Sequence, residues 1–516
     1  MATPHTNSVP VSAQAGMSAG QRWTLTVSCL AVALVIASMA ALYTALPQIA
    51  TATGATQAQL TWVVDGYTLA LACLVLPGGA LGDRYGRRIV LLIGLVIVAV
   101  GSAVPLLVAE PGWVIAARVV AGIGAALVMP STLSILTGSF PAERHARAVG
   151  IWAGVAGSGG VLGLLGSGAA LAVWSWPSIF LALTLVAAVL AVAAATVPES
   201  RDHTRARIDV AGAVSSTVTI GVFVYAISEA PEHGWTSPLV LSLIVVAVAA
   251  GAVFVAVERR SEHPLLPIEL FARRGFTAGT ISLTVQFLVT FGVFLLLVQY
   301  LQLILGYSPL RSALALAPMI APLIGLSLLA PWFSSRLGLR ATTVAGMAAI
   351  AAGLLLLARV DSTTSYLQLL VPVLVMSAGL GLCTAPATTA VIADTPAAKH
   401  GIAAAVNDAA REIGAAVGIA ICGSVLAAGY HDRIAPALAR LPEPARGPVS
   451  DSLAAALAVA DSAGPAGAPL AEFARQSFLH GIHLATLAVA GIAALGAVAA
   501  LAAPGPSYQP DPRIRP

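Results

Sequence analysis

Most charged side chains of this chain lie in short segments between long apolar runs, and the few within or bordering the runs have spacings that suit proton binding and ion pairing. The stretch GALGDRYGRRIVLL, Gly79 to Leu92, sets Asp83 at a helix end among Arg84, Arg87 and Arg88. A carboxylate there can accept hydrogen bonds from the first turn of a neighbouring helix or pair with an arginine. Gly79 permits close helix approach and Gly86 a tight turn. Such a cluster can latch two helix groups together; simple anchoring of arginines at a membrane face is the alternative, and the G-x-L-x-D-R-x-G-R-R spacing favours the latch. Asp65 lies in the run before this motif. An ionisable group in a membrane helix usually faces a cavity or a partner, so Asp65 can take up and release protons unless it is merely wetted at the interface. Arg118 lies within another run and needs a carboxylate or several carbonyls, and a structural tie near the outer interface is the plainer reading of it. In NDAAREIG, Asn407 to Gly414, Asp408 pairs by spacing with Arg411 (i,i+3) and Glu412 (i,i+4). Asp408 or Glu412 is a second proton site or the counter-charge of a cation; a solvated salt-bridge cluster is the other reading.

These groups need a scaffold, and composition defines it. Of the 516 residues 58% are apolar and 9% charged, against roughly 25% charged in soluble chains. A soluble chain of this size cannot hide so much apolar surface. Lipid admits only spanning helices or closed barrels. Barrel strands alternate apolar and polar residues, whereas here the runs are continuous and of the length a helix needs for a ~30 Å hydrocarbon core. Fourteen such runs are expected, near 24–45, 60–82, 88–109, 113–137, 146–170, 175–197, 209–229, 237–257, 276–303, 309–333, 340–360, 366–390, 402–428 and 480–503.

An even count puts both termini on one side, and the loops say which. Eighteen of the 26 basic residues, among them Arg22, Arg201, Arg205, Arg207, Arg513 and Arg515, fall on one side. That bias predicts cytoplasmic termini and explains the net charge of +4 without nucleic acid. Cys29, Cys73, Cys383 and Cys422 all fall in runs, with neither disulfide nor metal spacing, and read as small apolar side chains. The first run is too long for a signal peptide core and reads as a retained helix.

DRYGRR (Asp83 to Arg88) and SRLGLR (Ser335 to Arg340) repeat Arg, Gly and Arg at equal offsets. Duplicated six-helix halves are a transporter signature. The expected organisation is a cytoplasmic tail (1–23), a six-helix bundle (24–197), two extra helices with linkers (198–275), a second six-helix bundle (276–503) and a cytoplasmic tail (504–516). An outer loop at 429–479, rich in Ala, Pro and Asp with a short amphipathic stretch near 450–460, is expected to be partly disordered.

The Gly79–Leu92 stretch resembles the signature loop of the major facilitator superfamily. LTWVVDGYTLALACLVLPGG (Leu60 to Gly79) and IAARVVAGIGAALVMPSTLSIL (Ile115 to Leu136) resemble the second and fourth helices of its fourteen-helix drug:proton antiporter branch, and GWTSPLV near Gly234 and EHPLLPIELFARRGF near Phe276 its loops around the two extra helices. The resemblance implies that Asp65 serves proton exchange or cation binding and that Arg118 serves proton coupling. Departures are visible. Ala121 stands where the family often has Gln. GLLGSG, with Gly163, Gly166 and Gly168, replaces the antiporter motif GPxxGG. Ser38 stands where many cation exporters of the branch carry Asp, so monocationic or neutral amphiphiles fit better than dications.

Tyr43, Trp62, Tyr67, Phe287, Phe291, Gln299 and Tyr300 are candidate cavity residues, although most aromatics at such positions face lipid or serve packing. The expected fold is the all-α major facilitator fold. The expected function is export of hydrophobic or amphipathic molecules, antibiotics or cationic toxicants among them, across the plasma membrane in exchange for protons. A monomer is expected, with no cofactor or metal and the proton gradient as drive. A Walker loop, an H-E-x-x-H helix and a serine triad are all missing, which argues against ATP drive and enzymatic catalysis. An exporter of one endogenous metabolite is the runner-up, and a non-transporting membrane sensor a more distant alternative.

Overall fold

The computed structural model describes residues 17–55, 57–199, 209–262, 264–396, 399–439 and 441–503. Arg201, Arg205, Arg207, Arg440, Arg513, Arg515 and both expected tails, apart from 17–23, lie outside these residues. All regular structure among the described residues is helical. In chain order the α-helices are α1 (Ala19–Ala41), α2 (Leu46–Thr53), α3 (Gln57–Tyr85), α4 (Arg87–Leu107), α5 (Pro111–Ser139), α6 (Ala142–Val173), α7 (Pro177–Ala194), α8 (Val210–His233), α9 (Pro238–Arg260), α10 (Arg274–Gln299), α11 (Pro309–Leu316), α12 (Ile320–Leu357), α13 (Tyr366–Ala393), α14 (His400–Leu438), α15 (Glu443–Asp451), α16 (Leu453–Ser462) and α17 (Ala468–Ala499). Start signals agree with the local sequence. Ser18 with Gln21 and Ser365 with Gln368 form capping boxes at α1 and α13. Proline occupies the first turn of α5, α7, α9 and α11, where its missing N–H is harmless.

Among the described residues thirteen helical segments are long and apolar enough to cross a bilayer. One of them, Pro309–Leu357, has 49 residues; straight, it would reach about 73 Å, more than twice a ~30 Å core. It is two spans. Gly338, at φ 81° and ψ 163°, breaks α12, with Arg336 and Arg340 on either side of the break. Fourteen crossings result, as the runs predict. Gly86, at φ 112° and ψ 128°, separates α3 from α4 in the same way. The repeat therefore extends to backbone and contacts. Two residues after each glycine an arginine donates to the end of another helical segment of its own half: Arg88 Nη1 to Val197 O at 3.3 Å, and Arg340 Nε to Ala503 O at 2.8 Å. Because φ and ψ at Gly338 lie where essentially only glycine rests, Gly338→Ala is expected to cost about 1–3 kcal/mol. It should lower the unfolding midpoint in detergent, whereas Gly325→Ala, whose added methyl meets open space, should not. Equal effects of the two would count against the break being a glycine requirement.

Helices α1 and α3–α7 pack with one another, as do α10, α12–α14 and α17. The inserted pair α8 and α9 forms a hairpin, and α8 touches both groups, α3 on one side and α14 on the other. Tyr225 of α8 pairs with Trp62 of α3 at a ring-centroid distance of 5.9 Å, and Trp235 just beyond α8 donates to Ser424 of α14 at 2.9 Å. Helix α8 thus covers a seam between the halves, with α9 packed against it. All four cysteines are free, three of them buried.

The expectation of a partly disordered outer loop is corrected. Helix α14 runs on to Leu438, α17 begins at Ala468, and α15 and α16 fill the interval. Val449, Leu453 and Ala456 are buried, and Tyr430 donates to Val449 O at 2.8 Å. The alanine-rich stretch favours helix, and within α16 Leu453, Ala456 and Ala460, at i, i+3 and i+7, find a buried surface that composition alone cannot reveal.

Candidate functional site

On the basic face of the molecule one carboxylate bridges the two halves. Asp83 ends α3 at the first turn of α14, where backbone N–H groups lack helical partners. Its Oδ1 accepts from Gly401 N at 3.1 Å and its Oδ2 from Ile402 N at 3.2 Å. Arg87 of α4 donates to Oδ1 through Nε (3.1 Å) and Nη2 (2.8 Å), and through Nη1 to Ser134 O of α5 at 3.1 Å. Asp83 and Arg87 are only 7% and 4% exposed. The carboxylate therefore ties both halves together out of water, where charge-assisted bonds are strong. Gly79 lets the backbones meet: a Cβ there would come 2.7 Å from Ala405 Cβ. His145 of α6 and His400 of α14 complete the seam, ring to ring at 6.4 Å.

The other motif residues act within the first half. The Arg88 backbone N–H donates to Glu199 Oε1 at 3.2 Å, and its Nε lies 3.6 Å from Glu199 Oε2. Gly86 leaves room for that carboxylate, which a Cβ would crowd at 2.9 Å. Arg84 stacks over Tyr85. The second copy of the motif has Ser335 where the first has Asp83, and its hydroxyl bonds only to Trp332 O of its own helix. The ionic latch is therefore one-sided. In the glycine motif of α6, Gly163 abuts Ala37 of α1 and Gly168 abuts Leu310 of α11, while Gly166 faces open space.

Two adjoining cavities lie on the other side of this closure. The central one, about 220 Å³, is walled by Tyr43, Phe287, Phe291 and Gln299 among mostly apolar neighbours. Phe287 and Phe291 stack at 6.0 Å. The side cavity, about 310 Å³, holds Asp65 of α3 and Glu412 of α14, and α8 supplies Val224, Ser228 and Pro231 to its wall. Met39, Tyr43, Leu295 and Ile419 line both. An apolar body can thus lie in the first with a polar or charged end in the second.

Three predicted cavity residues do not line either one. Trp62 is taken up by the α3–α8 seam. Tyr67 is buried and donates to Val35 O at 2.9 Å. Tyr300 is buried at the end of α10 and donates to Asp361 O at 2.8 Å. The two tyrosine hydroxyls are satisfied in the packing, which the type of residue does not foretell.

Arg118 is buried without a carboxylate within 4 Å among the described residues. Its Nε donates to Val63 O (3.1 Å), Nη1 to Ser38 Oγ (3.0 Å) and Nη2 to Ser38 O (3.2 Å), and its guanidinium lies 4.1 Å over the Tyr67 ring. Carbonyls, one hydroxyl and a π face therefore satisfy it, tying α5 to α1 and α3.

The solvated reading of the α14 cluster is overturned. Asp408 is 0% and Arg411 2% exposed, paired at 3.5 Å. Glu412 parts from them and faces the side cavity. Among the described residues the Arg411 nitrogens have no hydrogen-bond partner, and neither has Asp408 Oδ2. The guanidinium instead lies 4.4 Å from the Phe287 ring and 5.2 Å from the ring of Trp152 on α6, across the halves. Trp152 is held by a bond from its Nε1 to Thr132 at 3.1 Å. Sequence reasoning missed Trp152, and nothing in its local context could have flagged it. It also missed Gln286, which bridges Ser282 (2.7 Å) and cavity-lining Thr384 (2.6 Å); a lone amide in an apolar run was the available signal.

Two helix groups latched on one face by a buried carboxylate that accepts from the backbone of the other group, around an acid-bearing cavity beyond it, define a polytopic membrane transporter. Residues 28–419 match the Major Facilitator Superfamily, and the chain belongs to that family. It is 32% identical over 506 residues to the multidrug efflux pump LfrA of Mycolicibacterium smegmatis, covering 95% of this chain and 98% of that one. It is 34% identical over 403 residues to the multidrug resistance protein Stp of Mycobacterium tuberculosis, covering 78% and 75%. In structure it is similar to the human organic anion transporter MFSD10 (TM-score 0.62, 14% identity, 93% and 99% covered). The proton:xylose symporter XylE also shares the fold (TM-score 0.58, 16% identity, 93% and 94% covered). The chain is thus a transporter and not an enzyme.

Proposed function

We propose that this protein exports hydrophobic and amphipathic drugs, antibiotics and cationic toxicants across the plasma membrane by alternating access, in exchange for protons. The observation that carries the reading is the pairing of Asp65 and Glu412 in one cavity that a latch seals from the basic face. The basic face is cytoplasmic, with both termini on it, because the loops there hold most of the arginines. Entering protons neutralise Asp65 or Glu412 and release a bound cation outward. Arg118 holds α1, α3 and α5 in register beside Asp65, and the Asp408–Arg411 pair senses the opening of the seam. The two halves then rock, and proton release to the cytoplasm accompanies capture of the next substrate. Each proton brings about 2.3 kcal/mol per 100 mV in addition to the pH difference. No cofactor is needed, and one chain contains both halves and the whole cavity.

Support comes from relatives named for multidrug efflux, puromycin resistance and methyl viologen resistance. The test is transport by purified protein in proteoliposomes, with and without an imposed pH gradient, over a dye, a quaternary ammonium and an antibiotic. Several compounds should move only with the gradient. Asp65→Asn with Glu412→Gln should reduce gradient-driven transport at least tenfold in protein that still elutes as one sharp species. Gradient-independent transport, or full activity of the double variant, would overturn the proton site; movement of one compound alone would make this a single-metabolite exporter.

A further inference from the structure

A third cavity, of about 500 Å³, lies apart from the transport path, among the basic-side ends of α10, of α12 beyond Gly338, and of α17. Its mouth carries Arg274 and Arg340. Its walls are mostly apolar, with Ile281, Val285 and Met347 among them beside Thr277, Ser282 and Thr343, and Ile281 is 49% exposed. From Arg274 to Val285 is eleven residues of one helix, about 16 Å along its axis, close to half of a ~30 Å hydrocarbon core. The cleft therefore has the depth of one leaflet, a hydrocarbon interior and a cationic rim.

The rim is set up to hold an anion. The bond from Arg340 Nε to Ala503 O at 2.8 Å fixes the guanidinium plane at the mouth and, among the described residues, uses one of its five donors. Neither Arg274 nor Arg340 has a carboxylate within 4 Å among the described residues. The neighbouring Arg273, by contrast, donates to Asp394 O at 3.1 Å. Phosphate accepts arginine in paired hydrogen bonds, and basic pockets between membrane helices suit lipid phosphates. A cationic drug would meet two positive charges at the entrance, so this cleft opposes the molecules that the acid-bearing cavity attracts.

We infer that the cleft between α10, α12 and α17 is a binding site for an anionic phospholipid of the basic-side leaflet, with its phosphate on Arg274 and Arg340 and an acyl chain along the apolar walls. The probes are phosphatidylglycerol and phosphatidylcholine with the same acyl chains, titrated into the delipidated full-length protein and counted by native mass spectrometry. At least one phosphatidylglycerol should be retained roughly tenfold more tightly than phosphatidylcholine. Arg274→Gln with Arg340→Gln should abolish that preference. Ala499→Phe, which fills the cleft and keeps both arginines, should weaken binding of the same lipid. Inorganic phosphate at millimolar concentration should not compete. Equal retention of the two lipids, an unchanged preference in both variants, displacement by inorganic phosphate, or displacement by a quaternary ammonium would each overturn the assignment. The readout is binding, so it stands or falls separately from the transport reaction.

Discussion

Asp83→Asn is expected to open the basic face and reduce export at least tenfold. The substitution keeps the shape of the side chain and removes its charge. Arg87, 4% exposed, then loses the carboxylate that receives two of its donors, and the N–H groups of Gly401 and Ile402 lose a charged acceptor. Breaking a buried pair by removing one partner costs about 3–5 kcal/mol. The penalty falls on the latched form alone, because once the halves part, water reaches both groups. A difference of that size shifts the balance between closed and open forms by roughly two to four orders of magnitude. Spin labels at residues 85 and 399, on the facing ends of α3 and α14, should report a longer distance in Asp83→Asn. Ser335→Ala, at the equivalent place in the second half, should leave that distance unchanged because its hydroxyl bonds only to its own helix. An unaltered distance in the aspartate variant would remove the latch from the mechanism.

The Asp408–Arg411 pair should show the second large effect, as strong non-additivity. Asp408→Asn leaves a guanidinium, 2% exposed, with no carboxylate within 4 Å among the described residues and only the rings of Phe287 and Trp152 beside it. Cation–π contacts of this kind supply about 2 kcal/mol when desolvated, less than the roughly 3–5 kcal/mol that an orphaned buried charge costs. The single variant should therefore unfold at a clearly lower temperature in detergent. Asp408→Asn with Arg411→Gln removes both charges and should recover most of the loss, since replacing a whole buried pair is often close to neutral. Gradient-driven transport should stay low in the double variant, because the seam between α6, α10 and α14 has lost its charged element. A coupling below about 0.5 kcal/mol between the two changes would mean that the two groups act independently.

The acids and the latch show how much a linear reading can reach. Asp83 was legible because its chemistry is local: a carboxylate at a helix end among arginines, beside a glycine that permits close approach. Its partner helix was not legible, since Gly401 and Ile402 are about 320 residues away and carry no sign of being capped. Asp65 and Glu412 stood out as charges inside apolar runs. That they share a cavity, while Asp408 four residues from Glu412 is sealed with Arg411, depends on which face of α14 meets α10 and which meets water.

The sequence by itself determined the solvent, the helical class, the number of crossings and the duplication. Each follows from backbone groups that must be satisfied within the helix when lipid surrounds it, so run length, turn residues and arginine bias are sufficient. Tertiary structure alone decided that α8 lies across the seam, that Arg118 rests on carbonyls and Ser38 without an acid, that Trp62, Tyr67 and Tyr300 serve packing, and that the outer segment is ordered. A hydrophobic run carries almost no signal about which neighbour it will meet in a medium as apolar as itself. The rotation of each helix is set by close contacts such as Gly79 against Ala405 and by the few polar groups that must find each other.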